Sequence, residues 1–227
     1  MRVLSPAVPS CRYPREVADG VTVPGNAPKD SAVMDAHRLE AFSDSVMAVI
    51  ITIMAFNLKT PITANWHGLE GRLPSLLVYI LSFSSIGIYW NNHHHLLRAT
   101  KRISSAVMWA NLHLLFWLSL IPFATSWVGT KHGDWLPASI YGVVTLGAAL
   151  AYFVLVRSIL RANPDDHSIA NAVGTDVKGM ASMAMYVIGV GLAYLSPYLS
   201  YACYAVVSVM WFVPERRFAK NTPSRSG

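Results

Sequence analysis

The sequence predicts an all-α membrane protein, and three observations carry that reading. Apolar residues make up 53% of the 227-residue chain and charged residues only 13%, against roughly 25% charged in soluble domains. The apolar residues fall into six runs between charged breaks, near 39–58, 75–96, 104–128, 138–156, 179–196 and 198–214, the pattern of successive membrane helices. Finally, fifteen of the eighteen Lys and Arg lie on one side of a six-span topology, with only Lys59, Arg72 and Lys131 on the other. That asymmetry places both termini in the cytoplasm and accounts for most of the net charge of +6. The basic residues flank the spans and form no aromatic-interleaved patch, so nucleic acid is not an expected partner.

Residues 1–35 are rich in Pro, Gly, Ala and Asp without a periodic apolar face, which predicts a disordered cytoplasmic extension. The first long apolar run starts near residue 41 and no small-residue cleavage site follows it before Pro61, unlike a secretory signal. Residues 36–214 hold the spans, and 215–227 read as a basic cytoplasmic tail. Cys11 and Cys203 are far apart in this topology, so no disulfide framework is expected. Cys203 reads as a small packing residue.

The first span, Arg38 to Leu58, is the most informative. Its 21 residues cover about 31 Å, one hydrocarbon core. It carries Asp44 about two turns from its start, at a cost of roughly 2.5–3.5 kcal/mol, and a carboxylate so placed is a functional-site hypothesis. On a helical wheel Phe42, Val46, Val49, Ile53 and Phe56 form one stripe, with Ser45 and Thr52 beside it. Asp44 lies roughly 140° from Val49, with Ala48, Ile51 and Ala55. The stripe can be lipid-facing, core packing or pore lining, and spacing alone leaves all three open. Glu40 shares the face of Asp44, where two carboxylates repel. Partners for Asp44 are therefore expected from another helix.

The second span ends in Trp90-Asn91-Asn92-His93-His94-His95, a dense set of donors at the same membrane face as Asp44. Contact from Trp90 or a histidine to Asp44 is allowed by this topology. Interfacial anchoring is the plainer alternative. A metal centre is not expected, because three consecutive histidines cannot all point one way on a helix and the remaining five are scattered. The third span holds Ile121-Pro122-Phe123-Ala-Thr125. The fifth and sixth, separated by Ser196-Pro197, form a tight hairpin, and the last is short.

Arg38-x-x-x-Phe42-Ser43-Asp44, joined to Ser82-Phe83, Tyr89-Trp90-x-x-His93-His94, Ile121-Pro122-Phe123-x-Thr125 and Trp211-Phe-Val-Pro214-Glu-Arg216-Arg217 in that order, resembles the transmembrane protein 175 family of potassium channels over about residues 36–217. A single six-span repeat resembles its prokaryotic members. The resemblance implies a symmetric homotetramer in the cell membrane whose first helices line a central pore. It has no carbonyl filter loop, and this chain indeed has no Thr-Val-Gly-Tyr-Gly run. Val49, Ile53 and Phe56 would then form a hydrophobic gate and Thr52 a potassium-selecting ring. Val49 is smaller and Phe56 larger than the family's usual residues, which leaves the narrowest ring open. Arg38, Ser43, Asp44, Trp90, His93 and His94 would form a structural hydrogen-bond network. No cofactor is implied beyond permeant K+. The alternative is a proton- or cation-coupled transporter using Asp44 and the His93–His95 cluster, although no inverted repeat is visible. An enzyme would need convergent polar residues around a cavity, and the one polar cluster already has a structural account.

Overall fold

The computed structural model describes residues 27–164 and 177–212. Every regular element among them is helical: α1 Ala27–Phe56, α2 Trp66–Glu70, α3 Leu73–Ala99, α4 Ser105–Ser119, α5 Ile121–Thr130, α6 Trp135–Ala162, α7 Val177–Leu192 and α8 Pro197–Phe212. Four segments are long and apolar enough to cross a membrane: Ala36–Phe56, Leu73–Ala99, Ser105–Thr130 and Trp135–Ala162. The protein is therefore a multi-pass membrane protein. The fifth and sixth expected spans correspond to shorter apolar helices of 16 residues each, about 24 Å at the α-helical rise.

Two departures from the sequence reading have local causes. Helix α1 begins at Ala27, inside the segment expected to be disordered, and Pro28 sits in its first turn, where a missing N–H costs nothing. Residues 1–26, Cys11 and the tail from 213 lie outside the described residues. The third span is broken at Leu120 instead of running straight through. Pro122 cannot donate to the Leu118 carbonyl and its ring crowds that carbonyl, so the ladder stops and restarts.

Helix α6 is the central packing element, touching α4, α5, α7 and α8, while α1 lies against α3, α4 and α5. The core runs through Met47, Ile50 and Met54 of α1, Ile86 and Leu97 of α3, Leu114 and Leu118 of α4, and Leu155 and Ile159 of α6. Small residues let the helices approach, as expected where lipid supplies no hydrophobic drive between them. A Cβ on Gly142 would collide with the Tyr204 hydroxyl and with Val190, and one on Gly147 with the Trp117 ring. Tyr204 donates to Ala138 O at 3.2 Å and its ring lies beside those of Tyr141 and Tyr186. The α7–α8 pair packs as the expected hairpin, with Trp211 Nε1 donating to Ser182 Oγ at 2.9 Å. Cys203 is a free, half-buried thiol packed against the core.

Candidate pore helix and its support

The pattern of α1 divides it into a buried and an open face. Ser43, Met47, Ile50 and Met54 point into the bundle and are almost fully buried. The opposite stripe is largely uncovered among the described residues: Val49 is 55% exposed, Ile53 48% and Phe56 86%, and Phe42, Ser45 and Thr52 are exposed beside them. An open groove of about 720 Å3 runs along this stripe, walled on the other side by Ser119, Pro122, Phe123 and Ser126 of α4–α5. In a membrane protein an uncovered apolar stripe faces lipid, another subunit or a pore, and residues such as Ile80, Phe116 and Val154 on other helices are exposed in the same way.

The hydroxyls on α1 are oriented by the helix itself. Ser43 donates to Leu39 O, Ser45 to Ala41 O and Thr52 to Ala48 O, each at 2.8 Å, and Thr52 also lies 2.9 Å from Val49 O. A hydroxyl whose proton is committed to its own helix presents only oxygen lone pairs outward. Thr52 is exposed, with its hydroxyl turned to its own helix.

Behind the open face, two polar chains bind α1 to its neighbours. In the first, Asn111 Nδ2 of α4 donates to Ser43 Oγ at 2.9 Å, and His93 Nε2 of α3 lies 2.7 Å from Asn111 Oδ1. All three side chains are fully buried. Because the Asn111 amide nitrogen faces Ser43, its oxygen faces His93, which assigns the histidine proton to Nε2. In the second chain, Trp90 Nε1 donates to Asp44 Oδ1 at 3.1 Å. Its indole stacks on His94, and His94 Nδ1 lies 2.8 Å from Glu40 Oε1. Arg98 Nε stands 3.8 Å from the same Glu40 oxygen.

Of the six residues expected in this network, Ser43, Asp44, Trp90, His93 and His94 thus meet at the α1–α3–α4 contact. Arg38 does not. It is exposed and makes no hydrogen bond or ion pair shown among the described residues, since its side chain leaves the helix away from Asp44. Two participants were missed. Asn111 is an amide in a largely apolar helix, the same signal that drew attention to Asp44. Glu40 was set aside for its repulsion with Asp44, but His94 faces it from α3. Deeper in the bundle Ser82 bridges Thr125 at 2.7 Å and Tyr141 at 3.1 Å, so the Ser-Phe of α3 and the Pro-Phe-x-Thr of α5 meet as one interhelical contact.

Comparison with known proteins gives this geometry its family. The family model described as "Endosomal/lysosomal potassium channel TMEM175" matches residues 38–122, which include both polar chains. A potassium channel of Chryseobacterium sp. (strain P1-3) is 43% identical over 188 residues, 83% of this chain and 98% of that protein. One of Streptomyces collinus is 29% identical over 78% of this chain and 91% of that protein. The crystal structure of a lysosomal potassium-selective channel TMEM175 homolog from Chamaesiphon minutus superposes with a TM-score of 0.68 at 25% identity, covering 83% of this chain and all of that one. The chain belongs to the TMEM175 family, a family of membrane ion channels and not of enzymes.

Proposed function

We propose that this protein is a subunit of a potassium-selective channel in the cell membrane, built from four copies around α1, with both termini cytoplasmic. The single observation that carries this reading is the open stripe of α1, apolar at Val49, Ile53 and Phe56 and interrupted by Thr52 with its lone pairs turned outward. One helix cannot enclose a water path, so a pore requires a symmetric assembly. Four copies are what the prokaryotic members of the family are expected to form.

In that assembly the stripes converge on the axis. Rings of Val49, Ile53 and Phe56 are bulky and apolar, and a short constriction of that kind closes a pore by expelling water. A ring of Thr52 oxygens replaces part of a cation's hydration shell. It cannot stabilise an anion, because no outward proton remains. Selectivity for potassium over sodium is moderate, since side-chain hydroxyls form no rigid carbonyl cage. The Ser43–Asn111–His93 and Asp44–Trp90 chains lie on the opposite side of α1 and hold the helix without touching the permeant ion.

Reconstitution into planar bilayers tests the proposal. Unitary current steps with a reversal potential favouring K+ over Na+ are expected, and Thr52→Val, which exchanges a hydroxyl for a methyl, should lower that preference while leaving the tetramer intact. Saturable flux without unitary steps would instead support the coupled transporter, and equal selectivity in the two proteins would exclude Thr52 as a determinant.

A further inference from the structure

Glu40 and Asp44 stand one turn apart on α1, and His94 faces them from α3. One ligand-capable atom from each lies within 4.8 Å of the others. The two carboxylates repel, and the protein compensates them incompletely. The Glu40 side chain is only 12% exposed. His94 Nδ1 lies 2.8 Å from one of its oxygens and is sealed from solvent, yet makes no aligned hydrogen bond there. A ring nitrogen and carboxylate oxygens from two helices therefore share one small space, close enough to act together as ligands of a cation. Asp44 is tied through Oδ1 to Trp90, and among the described residues no bond is shown to its second oxygen. Trp90 thereby serves as the outer hydrogen bond that orients a ligating carboxylate.

The surrounding charges leave room for a cation. Arg98 is the competing group, but it stands 3.8 Å from Glu40 and is 63% exposed, a long, screened contact of little energetic weight. His37 Nδ1 lies 3.6 Å from the other Glu40 oxygen. It is exposed, one turn nearer the start of α1.

The donor set decides the ion class. Ca2+ and Mg2+ prefer six or more oxygen ligands or a retained water shell. Two carboxylates with one or two imidazoles suit first-row transition ions, and four N/O donors suit tetrahedral Zn2+. We propose that Glu40, Asp44 and His94 form a binding site for a divalent first-row transition ion of the Zn2+ type, which ties α1 to α3. Histidine spacing within α3 could not reveal it, because the ligands come from two helices. Binding itself does not depend on conduction. Only its consequence, a pore helix pinned at one end, rests on the channel reading.

The test uses the full-length protein in detergent, stripped with chelator and titrated with Zn2+ by calorimetry. Modification of histidines by diethyl pyrocarbonate is followed by mass spectrometry alongside. One saturable Zn2+ per chain is expected, with His94 protected in the wild-type protein and no competition from equimolar Mg2+. Glu40→Gln and His94→Gln should each weaken binding at least about tenfold, the lower bound for losing even an outer partner of a metal site. His67→Gln, in the exposed α2, should leave it unchanged. Absence of saturable binding overturns the proposal, as does equal reactivity of His94 with and without Zn2+. Since protection is read in the wild type, variants that fail to fold do not shield the proposal. Ion flux is absent from the readout, so failure here and failure of the channel assignment are separate results.

Discussion

Replacing Asn111 with leucine should loosen the grip on α1 by a calculable amount. The substitution keeps the volume but removes the donor to Ser43 Oγ and the acceptor for His93 Nε2. Ser43 retains its bond to Leu39 O and loses only an incoming donor. His93 is left with an orphaned N–H at a fully buried position, which costs about 1–3 kcal/mol. Interhelical hydrogen bonds within membranes average nearer 0.6 kcal/mol, because the unfolded chain finds other partners. Full burial of all three groups argues for a value between these, about 1–2 kcal/mol, or roughly a five- to thirtyfold change in the unfolding constant by the usual tenfold per 1.4 kcal/mol. Reversible unfolding in mixed micelles, followed by tryptophan fluorescence, measures it. The paired variant Asn111→Leu with His93→Leu should recover part of the loss, because removing both partners of a buried bond costs less than orphaning one. A single variant within about 0.5 kcal/mol of wild type, or strict additivity in the pair, would refute the reasoning.

Three further outcomes are expected. Ile53→Asn should wet the closed pore and raise basal cation leak in liposome flux assays, whereas unchanged leak there and at equivalent polar variants of Val49 and Phe56 would remove this stripe from the gate. Gly142→Ala should lower thermal stability by the 1–3 kcal/mol typical of overpacking, since the added methyl meets the Tyr204 hydroxyl and Val190; a Tm equal to wild type would contradict the packing described. Reporter fusions at Gly227 and near Lys131 should locate to opposite sides of the membrane, and matching signals would sink the six-span topology.

The stripe of α1 was legible from its period, but its surroundings were not: Val49, Ile53 and Phe56 are open, while the side that packs into the bundle is Ser43, Met47, Ile50 and Met54, and Ala48 and Ala55 beside Asp44, which looked suited to close packing, are exposed. The Asp44–Trp90 pairing was also readable, since both residues are polar groups at one membrane face with no local partner. Asn111 was not recognised because its helix carries no charge to draw attention, although an amide in an apolar span carries the same desolvation penalty in kind. Glu40 was misjudged because repulsion with Asp44 is visible along one helix, while His94, which faces Glu40, belongs to another. Arg38 belongs to the motif but not to the contact, and spacing cannot distinguish the two. The break at Leu120 follows from Pro122 alone, yet hydropathy reads straight across it.

That break has a mechanical consequence. A continuous helix transmits displacement as a rod, whereas one with an interrupted ladder bends at the interruption. Here α4 is anchored through Asn111 to the buried chain behind α1, and α5 walls the groove along its open face. The two halves of one span therefore meet α1 on different faces, α4 at its buried polar chain and α5 along its open stripe.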